Sequence, residues 1–213
     1  PKSGRSSSDA TLMIDATLAH RSVDYTRPES AISSPGVETP NDVLHINSGT
    51  AQLRNFAASP FFSVASDFGV PKLSIAFGFY VPFGGGASWS ENDQVTPEQR
   101  ALYPGAQNGQ QRWWSIDSSL KAIYLTLAVA YKVSDQLSMG VSLNRISTSI
   151  DTVRARTVPA PDTDDIVNAS QLPIEGRSYL NASANTYSIG VGVLYQPTQQ
   201  IRIGYAYQSQ PGF

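Results

Sequence analysis

The sequence predicts an all-β protein, an antiparallel transmembrane β-barrel, on three observations. Large apolar residues alternate with other residues at period two in several segments. The opposite strand face consists mostly of Gly, Ala, Ser and Thr with few charges, which makes a poor water-exposed surface for a soluble sandwich but suits the interior of a membrane barrel. Short and long connections alternate strictly, as in a meander whose alternate turns lie at opposite ends of the sheet.

Seven strands account for this alternation. In the clearest, Tyr187 to Tyr195, the odd-numbered residues form one apolar face that ends in a tyrosine on each side. Eight residues at ~3.3 Å each and a tilt of ~40° span about 20 Å of membrane, near the height of a barrel's apolar band. The other predicted strands are 11–27, 53–66, 73–81, 114–131, 137–150 and 201–208.

The connections predict the orientation of the strands. The segments 67–71, 134–136 and 197–200 are short turns, which we expect at the periplasmic end. The segments 28–52, 90–111 and 158–180 are long, polar and rich in Pro, Ser, Asp and Asn, so we expect them outside the cell. Bacterial single-chain barrels have an even number of strands. We therefore expect residues 1–213 to form one partial barrel domain, with further strands missing.

Composition argues against several other classes of protein. The chain has no Cys and only His20 and His45, which excludes thiolate metal sites and argues against a histidine metal cluster. A net charge of −2 without a basic block argues against nucleic acid as a partner. Neither histidine has the spacing of a catalytic base beside a nucleophile, so we expect no enzymatic activity and no cofactor.

The stretch FYVPFGGGASW, residues 79–89, places a proline and three glycines directly after an apolar strand. Pro82 cannot donate to a ladder, and Gly84, Gly85 and Gly86 carry no side chains to pack. From these residues alone, either the strand ends here in a loop, or the strand continues and its pairing is interrupted.

The residues of inward parity indicate an apolar lumen toward the long loops, whereas near the tight turns they are small. A general porin, the main transport alternative, would have charged residues there, so a hydrophobic ligand is favoured. The inward apolar residues are Trp114, Ile116, Leu120 and Tyr124 on one strand and Ile146 and Ile150 on the next.

Arg154 continues the inward parity beyond Ile150. A guanidinium above an apolar groove can bind a carboxylate with two parallel hydrogen bonds. The alternative is that Arg154 and Arg156, close to a long loop, pair with lipopolysaccharide or with nearby aspartates. Both interpretations are consistent with the sequence.

Three stretches resemble the FadL-type outer-membrane transporters of long-chain fatty acids and other hydrophobic compounds. They are LSIAFGFYVPFGGGASW, LTLAVAYKVSDQLSMGVSLN and YSIGVGVLYQPTQQIRIGYAYQS, and they occur in the order that is typical of the family. The resemblance implies a fourteen-stranded monomeric barrel of the bacterial outer membrane, of which this chain supplies about the first half. It also implies an N-terminal hatch preceding Pro1.

The resemblance further implies passive transport through an opening in the barrel wall. Family members have an inward kink in the third strand, and Pro82, Phe83, Gly84, Gly85 and Gly86 fall on the third strand counted here. Arg154 falls where a basic residue meets the carboxylate of the ligand. The expected partners are a fatty acid or hydrocarbon, outer-membrane lipid and lipopolysaccharide. A general porin and a barrel phospholipase remain the alternatives.

Overall fold

The structure, a computed structural model, describes residues 9–32, 45–158, 162 and 164–212, with Phe83 described in its backbone alone. Seven strands form one antiparallel sheet in sequential order, half of a barrel, which confirms the predicted fold class. The strands are β1 Ala10–Arg27, β2 Gly49–Ser66, β3 Leu73–Ser88, β4 Asp117–Lys132, β5 Leu137–Thr157, β6 Glu175–Tyr195 and β7 Ile203–Gln208.

The helices lie in the connections. A six-residue helix, α1 Pro97–Leu102, begins with a capping box in which Thr96 and Gln99 bind each other's backbone N–H groups. Three 3-10 turns, Glu29–Ala31, 45–47 and Pro104–Gln107, complete the helical content of the described residues. Neither α1 nor any other helix in the described ranges has the length and apolar character needed to cross a membrane.

The two faces of the sheet differ as predicted. The register places Leu127 opposite Leu143 and Leu143 opposite Ile189, and all three side chains are exposed. We call this convex surface the lipid face. On the other face, Asn144 and Ser188 are buried because side chains converge on the concave side of a curved sheet. We call this concave surface the lumen face.

A chain of hydrogen bonds runs across the lumen face. Thr126 donates to Asn144 Oδ1 at 2.7 Å, Asn144 Nδ2 donates to Ser188 Oγ at 3.2 Å, and Gln208 Nε2 donates to Ser188 Oγ at 2.9 Å. These bonds link β4, β5, β6 and β7 and satisfy polar groups that the curvature has buried. Small side chains line the lumen face near the tight turns, as the sequence predicts, and this row of polar groups is an addition that the structure shows.

The alternation of connections is confirmed, with shifted boundaries. The tight turns occupy 67–72, 133–136 and 196–202, and the long connections occupy 28–48, 89–116 and 158–174. Residues 33–44 of the first predicted long loop, and residues 159–161 and 163 of the third, lie outside the described residues. β4 begins at Asp117, three residues after Trp114, so the prediction that Trp114 and Ile116 lie on this strand is wrong.

The topology makes a direct labelling prediction. A cysteine introduced at the exposed Asp93, in the second long connection, should react with an impermeant maleimide on intact cells, whereas one at the exposed Gln199, in a tight turn, should not. The chain has no native Cys, so the unsubstituted protein supplies a clean background. Labelling of Gln199→Cys alone would show that the orientation is reversed.

Candidate functional site at an unpaired interval of the barrel wall

The pairing between β2 and β3 stops partway along both strands. Their ladder has six residue pairs, from Ser66 with Ile75 to Phe61 with Tyr80, whereas β2 pairs with β1 along all eighteen. The two strands meet again at the bridge of Leu53 with Trp89. We call the interval between residues 54–60 of β2 and 81–88 of β3 the wall opening, because backbone hydrogen bonds close it only at its two ends.

A bulge in β3 accounts for the loss of pairing. Tyr80 pairs with Tyr124 and Phe83 pairs with Ala122, so Val81 and Pro82 together stand opposite one residue of β4. A bulge bends its strand, and proline has no N–H to offer the neighbouring strand. β3 nevertheless continues to Ser88 along β4. The interpretation of FYVPFGGGASW as a strand end is therefore wrong.

Polar side chains from the lumen face bridge the wall opening. Ser59 Oγ donates to the carbonyl oxygen of Val81 at 2.7 Å, near one end of the interval. Near the other end, Asn55 Nδ2 and the Arg21 guanidinium both donate to the carbonyl oxygen of Gly86. Arg21 Nε also donates to Asn55 Oδ1 at 3.1 Å. Side-chain bonds thus stand where a ladder would otherwise join the strands.

The three glycines keep the barrel wall thin at the wall opening. None of Gly84, Gly85 and Gly86 has a positive φ, so their backbone does not require glycine. A Cβ at Gly84 would lie 3.1 Å from Val81 Cγ1 and 3.6 Å from the carbonyl oxygen of Ala58, which places a new side chain against β2. The missing side chains, rather than special torsion angles, distinguish this segment.

Depressions lie on both sides of this thin wall. A cavity of about 370 Å³ is bordered by Phe56, Ala58 and Pro60, which share the lipid face of β2. A second cavity of about 550 Å³ is bordered by Leu120 and Ile150 on the lumen face, together with Arg21. Both cavities are also lined by Gly84, Gly85, Gly86 and Ser119. The glycines therefore separate an apolar lumen wall from the lipid side.

Four of the predicted ligand-binding residues form two cross-strand pairs on the lumen face. Leu120 lies opposite Ile150, and Tyr124 lies opposite Ile146, which is 1% exposed. The two pairs are four positions apart along each strand, so they line a continuous stretch of about 13 Å at ~3.3 Å per residue. The register agrees with the predicted parity.

An aromatic row, which sequence reasoning missed, borders the wall opening on the side of the tight turns. The Tyr80 and Tyr124 rings stack with centroids 4.9 Å apart, and Phe61 lies 6.3 Å from Tyr80. Phe61 and Tyr80 occupy the last paired position before β2 and β3 separate, and Tyr124 is the partner of Tyr80 on β4. The inward parity of Tyr80 was a signal for this row, but its neighbours became apparent only with the register.

Trp114 and Ile116 lie elsewhere than predicted. Ile116 N donates to the carbonyl oxygen of Val153 at 2.8 Å, which aligns the residue with β5 just before β4 begins. Trp114 lies in a turn and is 77% exposed. It borders a cavity of about 260 Å³ with Arg27 and Asp164. The parity argument failed for Trp114 because period two applies only within a strand.

Arg154 shares the strand face of Ile146 and Ile150, on the part of β5 that extends past β4. No carboxylate in the described ranges lies within 4.0 Å of its guanidinium. Arg156, by contrast, pairs with Asp162 at 3.0 Å. The predicted pairing with a loop aspartate therefore applies to Arg156. The N–H donors of Arg154 are not engaged by a carboxylate of the described residues.

The long connections fold together into a cap with a hydrophobic core of its own. We call the described residues 45–48, 89–116, 162 and 164–174 the loop cap. Each of its three segments contributes to the core. The buried apolar residues are Ile46, Val95, Ala106, Ile166 and Val167, with Tyr103 packed against them. The sequence indicated only polar loops here, because isolated apolar residues without a period give no signal.

A buried ion pair joins the loop cap to β6. Arg112 is 0% exposed, and its Nε lies 3.0 Å and 3.1 Å from the two carboxylate oxygens of Glu175. Asn47 Oδ1 accepts a hydrogen bond from Arg112 Nη2, and Arg177 Nη1 donates to Glu175 at 2.7 Å. Burial lowers the pKa of the Arg112 guanidinium, and the charge of Glu175 opposes this shift. This network connects the first and second long connections to β6.

A second ion pair fastens the cap to β1. Arg27 Nη1 and Nη2 donate to the two carboxylate oxygens of Asp164 at 2.6 Å and 2.8 Å, a bidentate arrangement. Asn47 Nδ2 donates to the backbone oxygen of Asp164 at 2.6 Å. The cap is thus held at β1 and at β6, on both sides of the half-barrel.

Comparison with known proteins agrees with this architecture. Residues 11–213 match the family model described as outer membrane protein transport protein (OMPP1/FadL/TodX). The chain belongs to this family. The resemblance seen in the sequence is therefore confirmed, and so is the predicted location of the protein in the outer membrane. The family consists of transport proteins rather than enzymes.

A solved structure supports the fold of this OMPP1/FadL/TodX family member. It is the crystal structure of a FadL homologue from Pseudomonas aeruginosa, with 15% sequence identity and a TM-score of 0.52. The alignment covers 95% of this chain and 43% of that chain, so this chain spans less than half of its length. At this identity the similarity concerns the fold alone. The search of curated proteins found no match.

Proposed function

We propose that the protein containing this chain transports long-chain fatty acids or similar hydrophobic molecules by passive diffusion, and that the ligand leaves the lumen sideways through the wall opening. The observation that supports this proposal is the unpaired interval between β2 and β3, with its three glycines between an apolar lumen wall and the lipid side. We further propose that the barrel acts as a monomer and that its outer surface contacts lipid and lipopolysaccharide.

Physical chemistry favours this route for an apolar ligand. Each methylene gains about 0.8 kcal/mol on moving from water into hydrocarbon, so lateral exit follows the ligand's own preference. The wall opening is bridged by side chains of Ser59, Asn55 and Arg21. A hydrogen bond between neutral groups contributes about 0.5–1.5 kcal/mol, and one with a charged partner such as Arg21 about 1.5–3 kcal/mol. Thermal motion suffices to break such bonds singly, so transport needs no energy source.

The proposed ligand site combines an apolar wall with Arg154. Leu120, Tyr124, Ile146 and Ile150 would contact the hydrocarbon part, and Arg154 would bind a carboxylate. A hydrocarbon would use the apolar part alone. Uptake of oleate and of toluene by cells that express the protein, compared with cells that lack it, tests the proposal. Uptake of neither compound would contradict it.

Replacing Arg154 by Ala should weaken oleate binding by about 1.5–3 kcal/mol, the contribution of a hydrogen bond to a charged group. Toluene uptake should not change, because toluene has no carboxylate. Isothermal titration of the purified barrel measures the affinity. Arg156→Ala is the matched control, since Arg156 is two residues away and already pairs with Asp162. Unchanged oleate affinity in Arg154→Ala would remove this residue from the site.

A further inference from the structure

Arg21 occupies an unusual position at the wall opening. It lies on β1 directly opposite Asn55 of β2, on the lumen face. Its guanidinium passes Asn55 and reaches the carbonyl oxygen of Gly86 on β3, so one side chain connects three strands. A Cβ placed on Gly85 would lie 3.7 Å from Arg21 Nη2, which puts the cation against the glycine wall.

The two acceptors of Arg21 are both neutral. Among the described arginines, six lie within 4.0 Å of a carboxylate, but Arg21 does not. Within the described part of the chain, its Nη1 donates no hydrogen bond. A guanidinium carries five N–H donors in a fork that matches a carboxylate. The charge of Arg21 has no carboxylate partner among the described residues, and some of its donors are unused. The six paired arginines are Arg27, Arg54, Arg100, Arg112, Arg156 and Arg177.

The surroundings of Arg21 indicate the chemistry of a ligand. Arg21 borders the cavity of about 550 Å³ that Leu120 and Ile150 also line. A cation beside an aliphatic wall suits a molecule with an anionic head and an apolar tail. The bond from Arg21 to the Gly86 carbonyl has one charged partner. A carboxylate would bring a second charge and can accept two parallel N–H bonds from the guanidinium, so it competes well with this carbonyl.

We propose that Arg21 determines specificity at the wall opening by recognising the carboxylate of an amphiphilic ligand. When Arg21 turns to the carboxylate, it releases the carbonyl oxygen of Gly86 and frees this edge of β3. An anionic ligand thereby loosens the opening through which it leaves. This inference depends on the proposed function, because it takes the wall opening as the route of exit.

The test compares oleate with oleyl alcohol, which has the same chain and no charge. Replacing Arg21 by Gln in the full-length protein should reduce oleate affinity by about 10- to 100-fold, the equivalent of one charge-assisted interaction. The affinity for oleyl alcohol should stay unchanged, because the amide of Gln can still donate to Asn55 or Gly86. The selectivity ratio separates charge recognition from a general loss of structure.

A second variant examines the same charge without removing Arg21. Asn55→Asp places a carboxylate at the position from which Oδ1 accepts from Arg21 Nε at 3.1 Å. The new ion pair should occupy Arg21 and lower oleate selectivity to the level of Arg21→Gln. Arg54→Gln is the matched control, since Arg54 directly precedes Asn55 in the sequence but faces the lipid side and pairs with Asp24. It should bind both ligands as the unsubstituted protein does.

The outcomes separate this inference from the proposed function. Equal affinity of the unsubstituted protein for oleate and oleyl alcohol would overturn the role of Arg21, as would full oleate selectivity in Asn55→Asp or in a folded Arg21→Gln. If only Arg154→Ala abolishes selectivity, the carboxylate is recognised there and the inference is also wrong. Failure of the unsubstituted protein to take up any hydrophobic compound would instead contradict the proposed function.

Discussion

Replacing Gly84, Gly85 and Gly86 by Val, Thr and Val is expected to reduce uptake of hydrophobic ligands by roughly tenfold while the barrel still assembles and binds ligand. The φ angles of the three glycines are open to other residues, and β-branched residues suit a strand. The new side chains fill the thin wall, and restored pairing adds one or two hydrogen bonds of about 0.5–1.5 kcal/mol each to the barrier for exit. Uptake of radiolabelled oleate by intact cells measures the effect.

A control substitution distinguishes closure of the wall from general damage to the barrel. Gly192→Val adds the same side chain on β6, where a Cβ would meet Tyr205 O at an ordinary 3.7 Å. It should leave uptake unchanged. Heat modifiability on gels checks assembly of both variants. Normal uptake by a correctly assembled triple variant would show that ligands do not leave through the wall opening.

A reversible version of this experiment uses the absence of native cysteine. Cysteines at Ala58 and Gly84 would stand on opposite sides of the wall opening, because a Cβ at Gly84 lies 3.6 Å from the carbonyl oxygen of Ala58. A short bis-thiosulfonate linker should block uptake, and a reducing agent should restore it. Each single-cysteine variant, treated in the same way, should show no block.

Replacing Glu175 by Gln is expected to destabilise the loop cap by about 3–5 kcal/mol, the cost of leaving a buried charge without its partner. Arg112 is 0% exposed and Glu175 is 2% exposed, so solvent cannot take the place of the lost carboxylate. The strands retain their own ladders, and the loss should therefore be confined to the cap. Amide hydrogen exchange should show faster exchange in residues 89–116 and unchanged exchange in β4 and β5.

Two further variants test the interpretation of the buried pair. Glu91→Gln removes the partner of Arg100 in an exposed pair, where the expected cost is about 0–1 kcal/mol. The double variant Arg112→Met with Glu175→Leu removes both buried charges and should restore most of the protection. If exchange in the cap did not change in Glu175→Gln, the pair would not be what holds the long connections together.

The barrel wall could be predicted from the sequence because each strand carries its own signal. Alternation between Tyr187 and Tyr195, or between Leu137 and Leu143, records which face each side chain takes, without reference to any other strand. The same local rule placed Leu120 and Ile150 on the lumen face. The rule failed at Trp114 because β4 begins only at Asp117, and the alternation of faces applies only to residues within the strand.

The wall opening itself needed the tertiary structure. Pro82 and the three glycines indicated an irregularity in the strand, but both a loop and an interrupted ladder were compatible with these residues. The register between β2 and β3 decided for the interrupted ladder, since pairing ends at Phe61 and Tyr80 and resumes at Leu53 and Trp89. Such a register depends on contacts between strands and on the bulge, and a period along one strand does not record it.

By itself, then, the sequence determined the fold class, the number of strands, the alternation of connections and the face on which most lumen residues lie, because these follow from the periodicity of each strand and the lengths between strands. Only the tertiary structure decided that Arg21 reaches Gly86, that Phe61, Tyr80 and Tyr124 form a row, and that Arg112 and Glu175 meet inside the loop cap. The members of these groups are 44 to 65 residues apart along the chain in the widest separations, and no local pattern relates them. Their contacts arise where neighbouring strands and folded connections bring distant segments together.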